Sequence, residues 1–221
     1  LSDTVIVEEF NEGFEISADF YIIDGKAQKV MWCQLNKFQV NDSTQVIYQS
    51  VIPPVLSEKA SASLNEIANK IAKAYEVDNS PLLIQAMING DDVRVIEFSA
   101  RLGGGAKYKT IQNVTGLNVL RANLESMLGE VPEVTIHYTG KCYSRCHIYL
   151  TGGKFVAIEG LDELVKDGTI KEFVLTRPFG VNVNSPASSS DRVASVFIQA
   201  NDQLELDRKV KTAISTLKVL D

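Results

Sequence analysis

Residues 93–107 read Val-Arg-Val-Ile-Glu-Phe-Ser-Ala-Arg-Leu-Gly-Gly-Gly-Ala-Lys, and this stretch carries the strongest signal in the chain. Alternation along a strand places Glu97, Ser99 and Arg101 on one face. Three glycines follow, and a backbone without Cβ atoms can approach a ligand closely. A carboxylate among apolar residues needs a cation or a hydrogen-bond partner if it is buried. The stretch therefore predicts either a metal and phosphate site or a core strand that ends in an Arg–Glu ion pair and a turn.

The preceding strand sets a geometric condition on such a site. Residues 82–88 are predicted as a strand, and residues 89–92 contain the turn into its antiparallel partner. Gln85 and Glu97 share a face only if this loop has an odd number of residues. We therefore expect an odd loop, with Met87 beside the pair.

The rest of the chain predicts an α+β fold in which helices flank an antiparallel sheet. A composition change at Gly129-Glu130-Val131-Pro132 indicates a first domain over 1–130 and a small α+β subdomain over 131–221. Ser57 and Asp202 are predicted to cap amphipathic helices. Further strands are predicted at 4–10 (buried), 15–23, 27–34, 45–52, 142–150, 154–158 and 192–200, with a polar loop over 36–44.

Composition narrows the classes of function. The net charge is −6 and no basic run occurs, so nothing supports nucleic-acid binding. No apolar segment approaches the roughly 20 residues that a membrane helix needs. Three cysteines are a sparse set, which indicates free thiols and a cytoplasmic location. A zinc site from Cys142, Cys146, His147 and His137 is disfavoured, because adjacent residues on a strand point to opposite faces.

The first 130 residues resemble the C-terminal half of an ATP-grasp domain of the carbamoyl-phosphate synthetase-like, carboxylate–amine ligase type. Two regions are similar to its metal-binding strands, Leu-Ile-Gln-Ala-Met at 83–87 and Val-Ile-Glu-Phe-Ser-Ala-Arg at 95–101, and Val-Thr-Gly follows at 114–116. Val-Glu-Glu-Phe-Asn-Glu-Gly-Phe-Glu-Ile-Ser at 7–17 resembles the hinge strand and the strand after it. Residues 133–221 resemble the small C-terminal subdomain of several such ligases by pattern alone.

The resemblance implies a nucleotide-binding role for five residues. The backbone around Glu8, Glu9 and Phe10 would bracket adenine. Glu15 would accept hydrogen bonds from the ribose hydroxyls. Met87 would pack under the purine.

The resemblance also implies a metal site and a substrate site. Gln85 and Glu97 would hold Mg²⁺ (or Mn²⁺) against the phosphates of ATP, with Ser99 as a poorer third ligand. Arg101 would bind the transferred phosphoryl group or an acyl-phosphate. Lys107 is interpreted either as a substrate contact or, more simply, as a solvated lysine. Asp19 is assigned by default either to the surface or to a supporting position behind the site residues. The remaining substrate contacts would be the amides of Gly103, Gly104 and Gly105.

The activity implied is ATP-dependent ligation of a small-molecule carboxylate to an amine or ammonia through an acyl-phosphate. The family's phosphate-binding lysines and glycine-rich lid precede the hinge strand, so we expect an N-terminal ATP-grasp segment to supply them. A homodimer is a further option. Ser99 stands where Asn is common, which leaves a second hypothesis: a degenerate ATP-grasp module that binds nucleotide or scaffolds a complex without turnover. Under both hypotheses we expect the isolated 221 residues to be inactive.

Overall fold

The structure is a computed structural model that describes residues 4–5, 7–42, 44–184 and 188–221. The described residues contain five α-helices and twelve strands. In chain order they are β1 (Phe14–Ile23), β2 (Lys26–Asn41), β3 (Thr44–Ile52), α1 (Glu58–Ala74), β4 (Ser80–Asn89), β5 (Asp92–Ser99), α2 (Lys107–Thr115), α3 (Val119–Met127), β6 (Cys142–Ile148), β7 (Gly153–Lys154), β8 (Ala157–Glu159), α4 (Leu161–Lys166), β9 (Glu172–Leu175), β10 (Asn182–Val183), β11 (Ala194–Ala200), α5 (Gln203–Thr216) and β12 (Lys218–Leu220).

Within the described residues, eight strands form one sheet in the order β5-β4-β1-β2-β3-β6-β11-β9. Every neighbouring pair in it is antiparallel, so the predicted α+β fold is confirmed. The sheet continues across residue 130, because β3 pairs with β6 and places Ile52 opposite Tyr143. The division into 1–130 and 131–221 stays a prediction.

The two faces of β1 differ in polarity and in the helices that they face. Ile16, Ala18, Phe20 and Ile22 pack against α1, and burying each large side chain there contributes about 1.5–3 kcal/mol. The opposite face looks toward α2 and α3 and carries polar residues. This second face holds the site. None of the helices in the described ranges is long and apolar enough to cross a membrane.

The predicted buried strand at 4–10 is wrong. Its described residues have no strand structure, and the side chains of Val5, Val7 and Phe10 are 85%, 89% and 88% exposed. Ile6 lies outside the described residues. A segment becomes a strand only when its backbone pairs with a neighbouring strand, and within the described residues no strand pairs with this segment.

The predicted polar loop over 36–44 is also wrong, because β2 continues to Asn41. Backbone pairing with β3 does not need apolar side chains. The polar side chains instead pair across the strands, and Asn36 Nδ2 donates to Gln49 Oε1 at 3.0 Å. The extra length brings Lys37 onto the sheet.

The turn between β4 and β5 is shorter than expected. Asn89 pairs with Asp92, so the loop between them has two residues and the expected odd loop is wrong. Perfect pairing from this turn would place Gln85 and Glu97 on opposite faces.

A β-bulge restores the predicted pairing of the two residues. Ala86 lies opposite Val95, but Gln85 lies opposite Glu97, so Ile96 is an extra residue on β5. One extra residue reverses the facing of every side chain beyond it. Gln85 and Glu97 are therefore direct partners across the ladder.

Candidate functional site

Two openings lie along the polar face of β1. The larger, which we call the outer cleft, has a volume of about 1120 Å³ and lies between residues 8–15, the β2–β3 hairpin and β5. The smaller, the inner pocket, has a volume of about 330 Å³. It lies between β1, β2, the turn at residues 103–105, which we call the glycine turn, β6 and the residues just before β11. Leu35 lines both, so the two openings adjoin.

The outer cleft brings together all five residues that the resemblance assigns to the nucleotide. One side is lined by Glu8, Glu9 and Phe10, which are exposed and belong to no helix or strand. Glu15 and Met87 line the floor, where they are direct partners on β1 and β4. A flat apolar or aromatic group can enter here beside a fixed carboxylate.

Glu15 joins the two openings. Its side chain is 9% exposed and forms an ion pair with Lys37. Gln85, which lines the inner pocket, donates from Nε2 to Glu15 Oε1 at 2.7 Å. Lys37 escaped the sequence analysis because β2 was predicted to end at residue 34.

This hydrogen bond also orients the Gln85 amide. An ionised carboxylate only accepts, so the N–H side of Gln85 faces Glu15 and its Oε1 is left for another partner. Glu97, directly opposite, is exposed on the edge strand and has no ion pair among the described residues. One carboxylate and one amide oxygen with open positions are a donor set that suits Mg²⁺ completed by phosphate and water.

Two expectations about this edge need correction. Glu97 is exposed rather than buried, because β5 is the last strand of the sheet. The alternative of an Arg–Glu ion pair is wrong, since Arg101 is exposed and donates to the carbonyl of Leu102 at 2.9 Å. Glu97 and Ser99 stand at the rim and line neither opening.

The inner pocket collects cationic side chains. Arg101 and Lys107 line it together with the three glycines at 103–105, as the resemblance implies. Arg145 and Arg192 line it as well, and sequence reasoning missed both. The sequence shows that Arg145 and His147 share one face of β6, because they are two positions apart on a strand. Their position in the pocket follows only from the pairing of β6 with β3.

Lys107 is not a solvated lysine, and that interpretation is wrong. Its Nζ lies 2.7 Å from Asp19 Oδ2, with side chains that are 14% and 7% exposed. Of the two default assignments of Asp19, the surface position is therefore wrong, and the supporting position behind a site residue agrees with its contact to Lys107. Burial raises the pKa of Asp19, and the charge of Lys107 opposes that rise.

The glycine turn fits closely around these cations. A Cβ at Gly103 would overlap the aliphatic chain of Lys107. Gly105 has φ +67°, and a Cβ there would lie 3.1 Å from the Arg192 guanidinium. The absence of side chains thus lets two cationic groups pack against the turn.

Arg145 is held from the turn side. One of its terminal nitrogens donates to the carbonyl of Ala106 and to Thr110 Oγ1, both at 2.8 Å. Burial and the nearby charge of Arg192 lower its pKa to about 10, so it remains cationic at neutral pH.

His147 gives a testable pH dependence. Burial and the charges of Arg192 and Arg145 lower its pKa to about 3. Below about pH 6.5 the unfolded chain therefore binds a proton that the folded chain does not, and stability falls as the pH falls. We expect a loss of about 1 kcal/mol in unfolding free energy between pH 7 and pH 5.5 from this residue.

Urea unfolding at the two pH values measures this loss. His147→Gln should lose less stability on acidification than the unsubstituted chain. His137→Gln is the matched control, because His137 is the other histidine of the chain and is exposed. Equal acid sensitivity in both variants would contradict the assignment.

The described residues contain no group of three or more His, Cys, Asp and Glu side chains placed to hold a metal ion. Cys146, on β6, packs in a core cluster with residues of β11, α4 and α5, whereas His147 faces the inner pocket. Their opposite orientations follow from strand alternation.

Comparison with known families gives two matches along the chain. A model of the ATP-grasp domain matches residues 1–109. A model of the L-amino acid ligase C-terminal domain 2 matches residues 147–220. No curated protein sequence is significantly similar to the chain.

Solved structures share the fold at low sequence identity. The L-amino acid ligase from Bacillus licheniformis has a TM-score of 0.82 at 17% identity, over 96% of this chain and 52% of that chain. Phosphoribosylglycinamide synthetase from Anaerococcus prevotii has a TM-score of 0.78 at 16% identity, over 96% and 54%. The biotin carboxylase domain dimer of the Hydrogenobacter thermophilus 2-oxoglutarate carboxylase, in complex with MgADP and bicarbonate, has a TM-score of 0.68 at 12% identity, over 94% and 46%. The chain thus spans about half the length of these structures.

Proposed function

Because residues 1–109 belong to the ATP-grasp family, we propose that the chain supplies the adenine-, ribose- and metal-binding wall of an ATP-dependent carboxylate–amine ligase. One observation carries the proposal. The residues assigned to nucleotide line one opening, the cationic residues line the next, and the Glu15–Gln85 hydrogen bond lies between them. A phosphoryl group passing from ATP to a carboxylate needs two such neighbouring compartments.

In the outer cleft, the backbone around Glu8, Glu9 and Phe10 brackets adenine and Met87 packs beneath it. Glu15 accepts from the ribose hydroxyls with lone pairs left over from Lys37 and Gln85. Magnesium or manganese, held by Gln85 Oε1 and the Glu97 carboxylate with Ser99 nearby, would neutralise charge on the phosphates.

In the inner pocket, Arg101 and the amides of Gly103, Gly104 and Gly105 orient the phosphorylated carboxylate. The amine nitrogen then bonds to the acyl carbon, the acyl carbon–oxygen bond breaks, and phosphate leaves with the electron pair. A proton leaves the nitrogen to phosphate or water. Fixed charges aimed at the transferred group are the main source of acceleration for phosphoryl transfer.

The match of residues 147–220 to a domain of L-amino acid ligases supports amino acids as the substrates. An N-terminal segment with the phosphate-binding lysines and lid would complete the clamp on ATP, and a homodimer is compatible with the dimeric relative. We place the protein in the cytoplasm, where its three free cysteines would stay reduced.

Release of ADP tests this proposal. The complete protein, with Mg²⁺, ATP and mixtures of amino acids, should release ADP faster than with ATP alone. The 221-residue chain by itself should show no turnover and at most weak nucleotide binding. Melting shifts with nucleotide in the complete protein, without turnover under any mixture, would instead support a binding or scaffolding module. Turnover by the 221 residues alone would contradict the predicted need for an N-terminal segment.

A further inference from the structure

The inner pocket carries more positive charge than the phosphoryl group needs. In the part of the chain that the structure describes, its lining contains four cationic side chains and no carboxylate. Lys107 is offset by Asp19 behind it. Arg101, Arg145 and Arg192 have no carboxylate within 4.0 Å among the described residues. Arg101 is solvated, but Arg145 is buried and Arg192 is half-buried beside it. Keeping these two guanidinium groups close together without an ion pair is costly unless an anion enters the pocket.

Arg192 is fixed in place at one end of this pocket. One of its terminal nitrogens lies 3.3 Å from both ring nitrogens of His147, and its guanidinium lies against the turn at Gly105. His147 Nδ1 is in turn 2.8 Å from Ser195 Oγ. Because the lowered pKa of His147 keeps the ring neutral, it supports the guanidinium without repelling it.

Arg145, beside it, has a donor that no atom of the described residues accepts from. Arg145 is 7% exposed, and its Nε has no hydrogen-bond partner. An unused charged donor at this depth is expected only where something else accepts from it. Arg101 lies apart from Arg192. Arg101 precedes the glycine turn, whereas Arg192 packs on Gly105, the last glycine of the turn. The turn therefore has one cation at its start and another at its end.

We propose that Arg192 is a specificity residue that binds the carboxylate of the amine substrate, so that the enzyme selects an amino acid over ammonia or an uncharged amine. The inference rests on the proposed ligase function. Arg101 takes the phosphorylated carboxyl group, and the rigid guanidinium of Arg192 takes the second anion with two oxygens facing two N–H groups. The glycines between them leave room for the nitrogen to reach the acyl carbon.

The test compares L-alanine with L-alaninamide as the amine in the complete protein, with ATP, Mg²⁺ and one fixed carboxylate substrate. L-alanine carries the carboxylate that Arg192 would bind, and L-alaninamide carries an uncharged amide in its place. We expect kcat/KM for L-alanine to exceed that for L-alaninamide by about 10- to 100-fold, the range of a charge-assisted hydrogen bond. Arg192→Gln should bring the ratio close to one by raising KM for L-alanine, and Arg192→Lys should restore part of it.

Arg177→Gln is the matched control. Arg177 is also an arginine and lies near Arg192, since its backbone N–H donates to the carbonyl of Val193, but its side chain pairs with Asp191 and does not line the pocket. It should keep the unsubstituted ratio. A ratio unchanged in Arg192→Gln, or an equal loss with both amines, would overturn the inference, and the equal loss would indicate phosphate binding instead. A preference of the unsubstituted enzyme for L-alaninamide or ammonia would also overturn it. Absence of ADP release with every carboxylate and amine would overturn the ligase function as well.

Discussion

Replacing Glu97 with Gln should lower Mg²⁺- and ATP-dependent turnover of the complete protein by at least about 100-fold. The substitution keeps the size of the side chain and removes the negative charge that, in the proposed site, would face the metal beside Gln85. Because Glu97 is exposed, its replacement should leave the melting temperature nearly unchanged. The loss would therefore report on chemistry rather than on folding.

Glu66→Gln provides the control, since Glu66 is an exposed carboxylate on α1 whose ion pair, among the residues that the structure describes, is with Lys70 alone. Initial rates of ADP release at several Mg²⁺ concentrations, together with melting curves, make the measurement. We expect the Glu66 variant to match the unsubstituted enzyme. If the Glu97 variant retains more than half of the unsubstituted rate, the metal-binding role of this rim is wrong.

Replacing Lys107 with Met should lower the unfolding free energy of the 221-residue chain by about 3–5 kcal/mol. The change leaves the Asp19 carboxylate buried without the cation that lies 2.7 Å from it. Urea unfolding measures the loss. The double variant Lys107→Met/Asp19→Leu should recover much of it, because the uncompensated charge is then gone.

Lys59→Met is the corresponding exposed case. Lys59 pairs with Asp91 at 3.1 Å, with side chains that are 83% and 53% exposed, so its loss should lower the free energy of unfolding far less than the loss of Lys107. Equal losses in the Lys107 and Lys59 variants would show that the buried pair does not stabilise the fold as argued.

Local signals were read correctly where a residue acts on its own neighbours. Ser57 Oγ accepts from the backbone of Ala60 at 3.1 Å, and Asp202 accepts from Glu205 at 2.8 Å, so both predicted helix caps are confirmed. The alternation of β1 likewise predicted which of its side chains face the core. In each case the physics is contained within a few consecutive residues.

The errors fall where distant parts of the chain decide the outcome. Asp19 and Lys107 meet across 88 positions, and His147 and Arg192 across 45, so no local pattern could pair them. The bulge at Ile96 lies in the pairing of β5 with β4, several residues from the turn, so the turn residues do not predict it. The site residues on β1, β4 and β5 were recognisable by resemblance, whereas the cations contributed by β6 and the residues before β11 needed the assembled sheet.

Strand β1 fixes how far apart the two openings are. Glu15 lines the outer cleft and Ser17, two residues on, lines the inner pocket. Two residues of a strand span about 7 Å, and rotating a side chain cannot change that interval. In the proposed ligase, the strand would therefore set a fixed distance between the nucleotide and the carboxylate substrate, and a longer carboxylate would extend away from the nucleotide, toward His147. Tolerance for larger substrates would then change at the His147 end of the pocket, while the stretch around Glu15 stays constant.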